Sequence, residues 1–435
     1  MSSMAKFPSH SISPNSASNI VDLMVFFSPK RVHTQYNSLP ASLRSFLSDV
    51  TEEIPELPSE IRVLNGIELE LSKRLSLCDQ QFATFSDTKR DPGTESEFLF
   101  RENVYAPYEK IGAGTCGTIF AQEGQPFVVK VAKTDSNTLW NDFGMHASIA
   151  DQFRIWNVVE VKIPACYYFV PKKHPYFDDN PSLAQAAKQV CNTPKSALVS
   201  ERIFPLPLKT RNLLIDKFCS EKAKNAARND PANRDCLVRV YLGSMHGLIG
   251  RYFSLRNFRL HLNQMEKLKM DAKLIAGRIA TALAVMHWAA KTDARDVEFV
   301  LASSSDKISE RFIGLEVRSL EEPVYTGPPS NIHDDFFTRT TDLWVLDFNQ
   351  VQPITMDEAG VAKAVDAYKF NEPYFPRPLR ESRIEKVVWN EFVEQYLGAA
   401  HMIIREEADT KLLPLPGKFI SGLIALERHK QQRDW

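Results

Sequence analysis

The segment from Tyr108 to Lys133 constrains the fold of this 435-residue chain more than any other stretch. It reads YEKIGAGTCGTIFAQEGQPFVVKVAK and places Gly112, Gly114 and Gly117 in a G-x-G-x-x-G array. Glycine has no Cβ atom, so backbone N–H groups at this spacing can approach a phosphate chain closely. The array therefore predicts a loop that covers a phosphorylated ligand. The alternative is an ordinary glycine-rich hairpin.

The residues that follow the glycines distinguish between two kinds of phosphate loop. A dinucleotide-binding loop leads directly into a helix. Here Thr118–Phe120 continues as a strand, and Phe127–Val131 predicts a second strand with Lys130 inside its apolar run. This order is typical of the nucleotide-binding lobe of protein kinases, in which the strand lysine contacts the α- and β-phosphates. A surface lysine on a hairpin is the alternative.

A helix is predicted over Ser136–Phe153, because its apolar residues recur at helical spacing. In a kinase-like lobe this helix supplies the acid that pairs with the strand lysine. Asp142 is the nearest candidate and Asp151 is the second. An exposed helix aspartate is the alternative interpretation for either residue.

The segment Leu343–Val351 (LWVLDFNQV) is an apolar strand that ends in Asp347. A carboxylate at the end of a buried strand needs a cation or hydrogen bonds to offset its desolvation. In kinases this position is the aspartate of D-F-G, which binds Mg²⁺. Here Asn349 replaces the glycine. An aspartate that caps a turn is the alternative.

The segment Asp293–Leu301 (DARDVEFVL) lies where a kinase carries its catalytic loop, H-R-D-x-x-x-x-N. Alignment of the two segments puts Ala294 at the catalytic aspartate and Phe299 at the metal-binding asparagine. Phenylalanine cannot coordinate Mg²⁺, so we expect impaired catalysis. Asp293 or Asp296 could act as the base in a rebuilt loop, or either could be a turn or salt-bridge residue.

These features predict an α+β fold of the protein-kinase type with two lobes. Residues 103–204 form the small, β-rich N-lobe, and residues 205–435 form the mostly helical C-lobe, with an insertion near 302–342. Residues 1–102 are predicted to be an N-terminal extension that is first disordered and then helical.

Composition excludes several classes of function. Lys and Arg (53) balance Asp and Glu (54), so the net charge of −1 gives no clear sign of nucleic-acid binding. No apolar run approaches the ~18–20 residues of a membrane span. The six cysteines include no C-x-x-C pair, which argues against a zinc site and for a reducing compartment, cytoplasmic or nuclear.

Several stretches between Leu255 and Pro378 resemble an uncharacterised fungal family with a domain of unknown function, whose members are often labelled zinc-finger-protein-like. These stretches read LRNF, LHLNQMEKL, LAVMHW, DVEFVL, LDFNQV and NEPYFPRP. The upstream glycine loop fits the same kinase-like layout. The family has no established activity, so the resemblance itself implies no chemistry, and no Cys/His cluster has zinc-ligand spacing.

The sequence therefore predicts a pseudokinase-like module that binds a nucleotide or an unknown protein partner, with ATP and Mg²⁺ as its ligands. Lys130 would contact the phosphates, the Gly112–Gly117 loop would cover them, and Asp347 would hold Mg²⁺. One alternative is a divergent, active ATP-dependent phosphotransferase that uses Asp293 or Asp296 as its base. Another is a structural scaffold on the same fold that binds no ligand.

Overall fold

The computed structural model describes residues 40–54, 63–77, 106–123, 125–133, 136–192, 195–248, 253–304 and 340–433. Over these ranges the chain is a mixed α/β protein with two sheets. The N-terminal segment predicted to be disordered, together with most of the predicted insertion, lies outside the described residues. None of the described helices is long and apolar enough to cross a membrane.

The first sheet has five antiparallel strands in the order β1-β2-β3-β5-β4. The strands are β1 (Tyr108–Ala113), β2 (Gly117–Gln122), β3 (Phe127–Ala132), β4 (Cys166–Val170) and β5 (Ala197–Glu201). The two strands predicted after the glycines, Thr118–Phe120 and Phe127–Val131, lie within β2 and β3 and are thus confirmed. The glycine array forms the β1–β2 hairpin, and its turn is closed by the Gly114 N–H, which donates to the Gly117 carbonyl (2.9 Å).

Helix α3 (Ser136–Ile155) follows β3 and packs against β4 and β5, as the apolar spacing of its sequence predicts. Two short helices, α4 (Tyr176–Asp179) and α5 (Pro181–Lys188), connect β4 to β5. Their apolar residues join those of the strands in a small separate core.

The second sheet contains β6 (Val238–Tyr241), β7 (Arg259–His261), β8 (Glu298–Ser304) and β9 (Thr340–Leu346) in the order β7-β6-β8-β9. Residues 302–304 and 340–342, which the sequence placed in an insertion, belong to β8 and β9. Serine and threonine give these strand ends a loop-like composition. The ladder nevertheless pairs Ser304 with Thr340, and the Ser303 hydroxyl donates to the Pro205 carbonyl (2.8 Å).

The remaining helices pack around this second sheet. They are α6 (Leu208–Phe218), α7 (Lys224–Asn229), α8 (Leu262–Lys267), α9 (Ala272–Ala284), α10 (Glu358–Phe370), α11 (Arg383–Glu406) and α12 (Leu415–Arg433). Helix α9 is almost entirely buried, begins at its cap Asp271 and packs along α11. A π-helical turn, Val285–Ala289, continues it toward the segment that leads to β8.

Two helices that precede the first sheet share the main core. Helix α1 (Ala41–Val50) packs on α11 and α12, and its Val50 carbonyl accepts from the Trp389 indole (3.1 Å). Helix α2 (Gly66–Leu75) packs on α6, where Lys217 binds Glu68 (2.5 Å). The predicted helical part of the N-terminal extension therefore packs into the main core, together with the helices of the second sheet.

The side chains of β8 point alternately into this core and into the cleft described below. Phe299 is fully buried and packs edge-on against Phe375, with 6.0 Å between the ring centroids. Its neighbours Glu298 and Val300 line the cleft. The position aligned with a metal-binding asparagine thus faces the core and serves packing.

We expect Phe299→Ala to lower the free energy of unfolding by about 3–5 kcal/mol, because it removes a ring from a closed core site and leaves a cavity. Urea denaturation followed by circular dichroism measures this loss. The matched control is Phe370→Ala on α10, where the residue is 49% exposed. Equal losses in the two variants would contradict the placement of Phe299.

Candidate functional site

A cleft of about 510 Å³ lies where the two sheets meet. Its upper wall is the glycine hairpin with β3 and β5, and its lower wall is formed by β8 and the end of β9. Its lining includes eight branched aliphatic side chains, namely Ile111, Ile119, Val128, Leu198, Ile203, Leu237, Val300 and Leu346. Charged side chains lie among them, since Ile119 and Leu198 are the cross-strand neighbours of Lys130 and Leu346 precedes Asp347. The cleft thus offers apolar and charged surface side by side.

Lys130 lies in the cleft between two carboxylates. Its Nζ atom is 2.7 Å from Asp142 Oδ2 and 2.9 Å from Asp347 Oδ1. The three side chains are 12%, 4% and 23% exposed, respectively. The predicted pairing of Lys130 with Asp142 rather than Asp151 is the arrangement observed, and Asp347 joins it from the second sheet.

The charge of Lys130 is set by this environment. Burial by itself lowers the pKa of the ammonium group, but the charges of Asp142 and Asp347 raise it by more, so its pKa lies well above the usual value. Lys130 therefore remains a fixed positive charge in the cleft at any physiological pH.

Helix α3 also fixes the backbone that follows β9. The second oxygen of Asp142 accepts from the Phe348 N–H (3.2 Å). The amide of Asn141 donates to the carbonyls of Asn349 (3.1 Å) and Val351 (2.9 Å). Two successive residues of one helix thus hold both the lysine and the segment that carries Asp347.

Asp347 adopts a left-handed backbone conformation, with φ of 66°. This region is unfavourable for most side chains and is better tolerated by aspartate and asparagine. It turns the carboxylate at the exit of β9 toward the cleft. The oxygen that does not contact Lys130 faces the glycine hairpin, since a Cβ atom on Gly114 would lie 4.0 Å from Asp347 Oδ2.

The three predicted glycines have different places. Gly112 and Gly114 line the cleft, whereas Gly117 does not. A Cβ atom on Gly117 would lie 2.9 Å from Lys130 Cγ and 3.0 Å from the Val131 carbonyl oxygen. Gly117 is therefore required for close packing of the hairpin over Lys130, and Gly112 and Gly114 present backbone to the cleft.

The two candidate bases are separated by the structure. Asp293 is buried outside the cleft, and its Oδ1 accepts from the backbone N–H groups of Gln352 (2.9 Å) and Arg295 (3.1 Å). It serves to hold a loop. Asp296 lines the cleft and accepts from the Gln350 amide. Of the two, only Asp296 can reach a bound ligand.

Sequence reasoning missed Glu298, which lies in the cleft 2.6 Å from Arg239. Burial raises its pKa to about 7; Arg239 opposes this shift, and the charges of Asp347 and Asp296 add to it. Glu298 could have been found from the alternation of side chains along β8. Because successive side chains of a strand point to opposite faces, the neighbour of a core residue such as Phe299 must face the other side.

The described part of the chain contains one cluster with spacing suited to a metal ion, formed by Cys116, Asp142 and Asp347, whose ligand atoms lie within 4.8 Å of one another. The ammonium of Lys130 already contacts both carboxylates, and burial raises the pKa of the Cys116 thiol. Lys130 thus already supplies a positive charge between these two carboxylates. Asn349 lies beside it and donates to Thr115 Oγ1 (3.3 Å).

Residues 343–408 match the protein family DUF3669, which is described as "Zinc finger protein". The match spans most of β9, Asp347, α10 and α11, and it supports the resemblance to a zinc-finger-labelled family over this range. No curated protein matches the chain. The matched segment contains no cysteine and a single histidine, His401, so it cannot supply the four ligands of a structural zinc site.

Glu298 should make the stability of the protein depend on pH. Its pKa rises from 4.5 when unfolded to about 7 when folded, so the native state binds the extra proton between these values. The contribution of Glu298 to stability is therefore greatest below about pH 4.5 and is lost as the pH rises through about 7. We expect wild type to lose about 1–3 kcal/mol relative to Glu298→Gln between pH 5 and pH 8.

Urea melts of both proteins at the two pH values measure this difference. The matched control is Glu109→Gln on β1, where the side chain is exposed and should leave the pH dependence of wild type unchanged. A Glu298→Gln variant with the same pH dependence as wild type would show that Glu298 ionises normally.

Proposed function

We propose that the cleft binds a nucleotide with Mg²⁺ and that the chain is a pseudokinase-like binding module. One observation carries this proposal: Lys130 is held between Asp142 and Asp347 in the cleft, close to the glycine hairpin. A buried, permanently charged ammonium beside exposed backbone is suited to a ligand with several negative oxygens.

The apolar lining of the cleft is suited to another part of such a ligand. Its eight aliphatic side chains come from both walls, so a flat heteroaromatic ring can be enclosed between them and removed from water. Lys130 lies in the same cleft. A ligand that carries both a planar base and phosphates matches this combination.

Asp347 is the residue that would hold Mg²⁺. Its Oδ2 is not used by Lys130, faces Gly114, and is a hard oxygen ligand of the kind that Mg²⁺ prefers. Asp296 and Glu298 supply further carboxylate oxygens in the same cleft. When bound, Mg²⁺ would neutralise phosphate charge that Lys130 alone leaves unbalanced.

The order of elements supports a kinase-like arrangement. The lysine strand, the acid on the next helix and the aspartate after a later apolar strand are the features that the sequence assigned to a kinase-like site, and their side chains meet in this cleft. The second sheet and the helices after β5 follow within residues 205–435, the range that the sequence assigned to the C-lobe.

An active phosphotransferase is the second candidate, and the placement of Asp296 and Glu298 favours it. Both carboxylates lie in the cleft with Asp347, and burial raises the pKa of each. Either can accept a proton from a substrate hydroxyl. Turnover of ~1 s⁻¹ or more, lost in Asp296→Asn or Glu298→Gln, would establish this activity over pure binding.

Lys130→Ala should weaken the binding of Mg-ATP by about 1.5–3 kcal/mol, the usual contribution of a hydrogen bond to a charged group. Isothermal titration calorimetry measures the change, and Lys188→Ala on α5, an exposed lysine outside the cleft, is the control. The variant leaves Asp142 and Asp347 unpaired, so its melting curve is recorded first. A folded variant with wild-type affinity would refute the role of Lys130.

Asp347→Asn separates a ligand site from a structural cap. Asparagine tolerates the left-handed backbone and can still accept from Lys130, so we expect the stability without ligand to change by less than about 1 kcal/mol. Wild type should gain thermal stability with Mg-ATP by mass action, and the variant should lose that gain. Equal losses with and without Mg-ATP would mean that Asp347 is only a cap.

A further inference from the structure

Aromatic side chains of α3 and β4 pack together outside the lining of the cleft. Trp140 is 57% exposed, and its ring centroid lies 5.4 Å from that of Phe143 and 4.9 Å from that of Phe169. Phe143 and Phe169 are half-buried and join Trp140 to a small apolar core. We call these three residues the aromatic patch. A large exposed aromatic side chain on such an apolar base is typical of an interaction site.

The patch adjoins an open sheet edge. Strand β4 is the last strand of the first sheet, and no described strand pairs with its outer side. An open edge presents unpaired N–H and C=O groups that can accept another extended chain. The sequence of β4, CYYFV, contains neither a charge nor a proline to block such pairing, and a bulge between Cys166 and Tyr168 is its one irregularity.

One end of this edge is basic. Lys172, Lys173 and His174 follow β4 and are exposed. An incoming strand would therefore be favoured if it carried acidic residues at the end that meets the two lysines.

We propose that β4 and the aromatic patch bind an extended segment of another protein that combines aromatic or aliphatic side chains with acidic residues. Its backbone pairs with the outer edge of β4. Its apolar side chains cover Trp140 and Phe169, and its acidic residues lie against Lys172 and Lys173.

The patch is directly connected to the cleft. Trp140 and Phe143 flank Asn141 and Asp142, which hold the backbone after β9 and the ammonium of Lys130. A segment that fixes Trp140 also fixes this turn of α3. This coupling rests on the proposed function of the cleft. If the cleft binds Mg-ATP, we expect the bound segment to change the affinity for Mg-ATP by about fivefold or more.

The test is a selection from a display library of random peptides against the immobilised full chain, with counter-selection on Trp140→Ala. We expect the enriched peptides to combine aromatic or aliphatic residues with Asp or Glu. A synthetic peptide of the enriched sequence should bind about tenfold more weakly to Trp140→Ala. The double variant Lys172→Glu, Lys173→Glu should lose it as well, and Phe370→Ala should bind it like wild type.

Trp140 is exposed, so its substitution should not unfold the chain, and matching melting curves check this. Three outcomes would overturn the proposal: no enrichment that depends on Trp140, enrichment of basic peptides, or a dimer of the wild type that Trp140→Ala abolishes. The last result would assign the patch to a second copy of the chain.

The two proposals fail separately. Peptide binding without any Mg-ATP binding would refute the nucleotide site and leave the docking site in place. Mg-ATP binding without a Trp140-dependent peptide would do the reverse. If both ligands bind with unchanged affinities in each other's presence, the docking site stands and its connection to the cleft is refuted.

Discussion

The contact of one ammonium group with two carboxylates is the interaction on which the rest of the site depends. Lys130 comes from the first sheet, Asp142 from α3 and Asp347 from the second sheet. Each charge would be costly to bury alone, and together they leave one net negative charge in a largely buried place. The two sheets are thereby joined through polar side chains at the point where a ligand would enter.

This arrangement explains the residues that surround it. The hairpin must approach Lys130 closely, which requires glycine at position 117. The backbone must turn sharply at Asp347, and Asn141 and Asp142 hold the turned segment from outside. The side chains of α3 therefore hold both Asp347 and Lys130 in place.

The local parts of this site could be predicted from the sequence. Alternation of apolar residues and the glycine spacing locate the hairpin and β3, and a carboxylate after an apolar strand identifies Asp347. The roles of Asp293 and Asp296 could not be assigned, because Ala294 and Asp296 both adopt left-handed conformations that turn the loop. Glu298 was missed because the alignment followed Phe299, which packs in the core.

The loop held by Asp293 has a mechanical consequence. Asp293 and Gln352 exchange hydrogen bonds, Gln350 donates to Asp296, and the Ile354 N–H donates to the Lys291 carbonyl. The lower wall of the cleft, with its carboxylates, is thus held together by hydrogen bonds as one stiff block. The upper wall is attached to that block through Lys130, Asp142, Asn141 and Asn349. If the cleft opens, we therefore expect a hinge movement. The distance between the upper and lower walls would change, and the spacing of the carboxylates within the lower wall would stay the same.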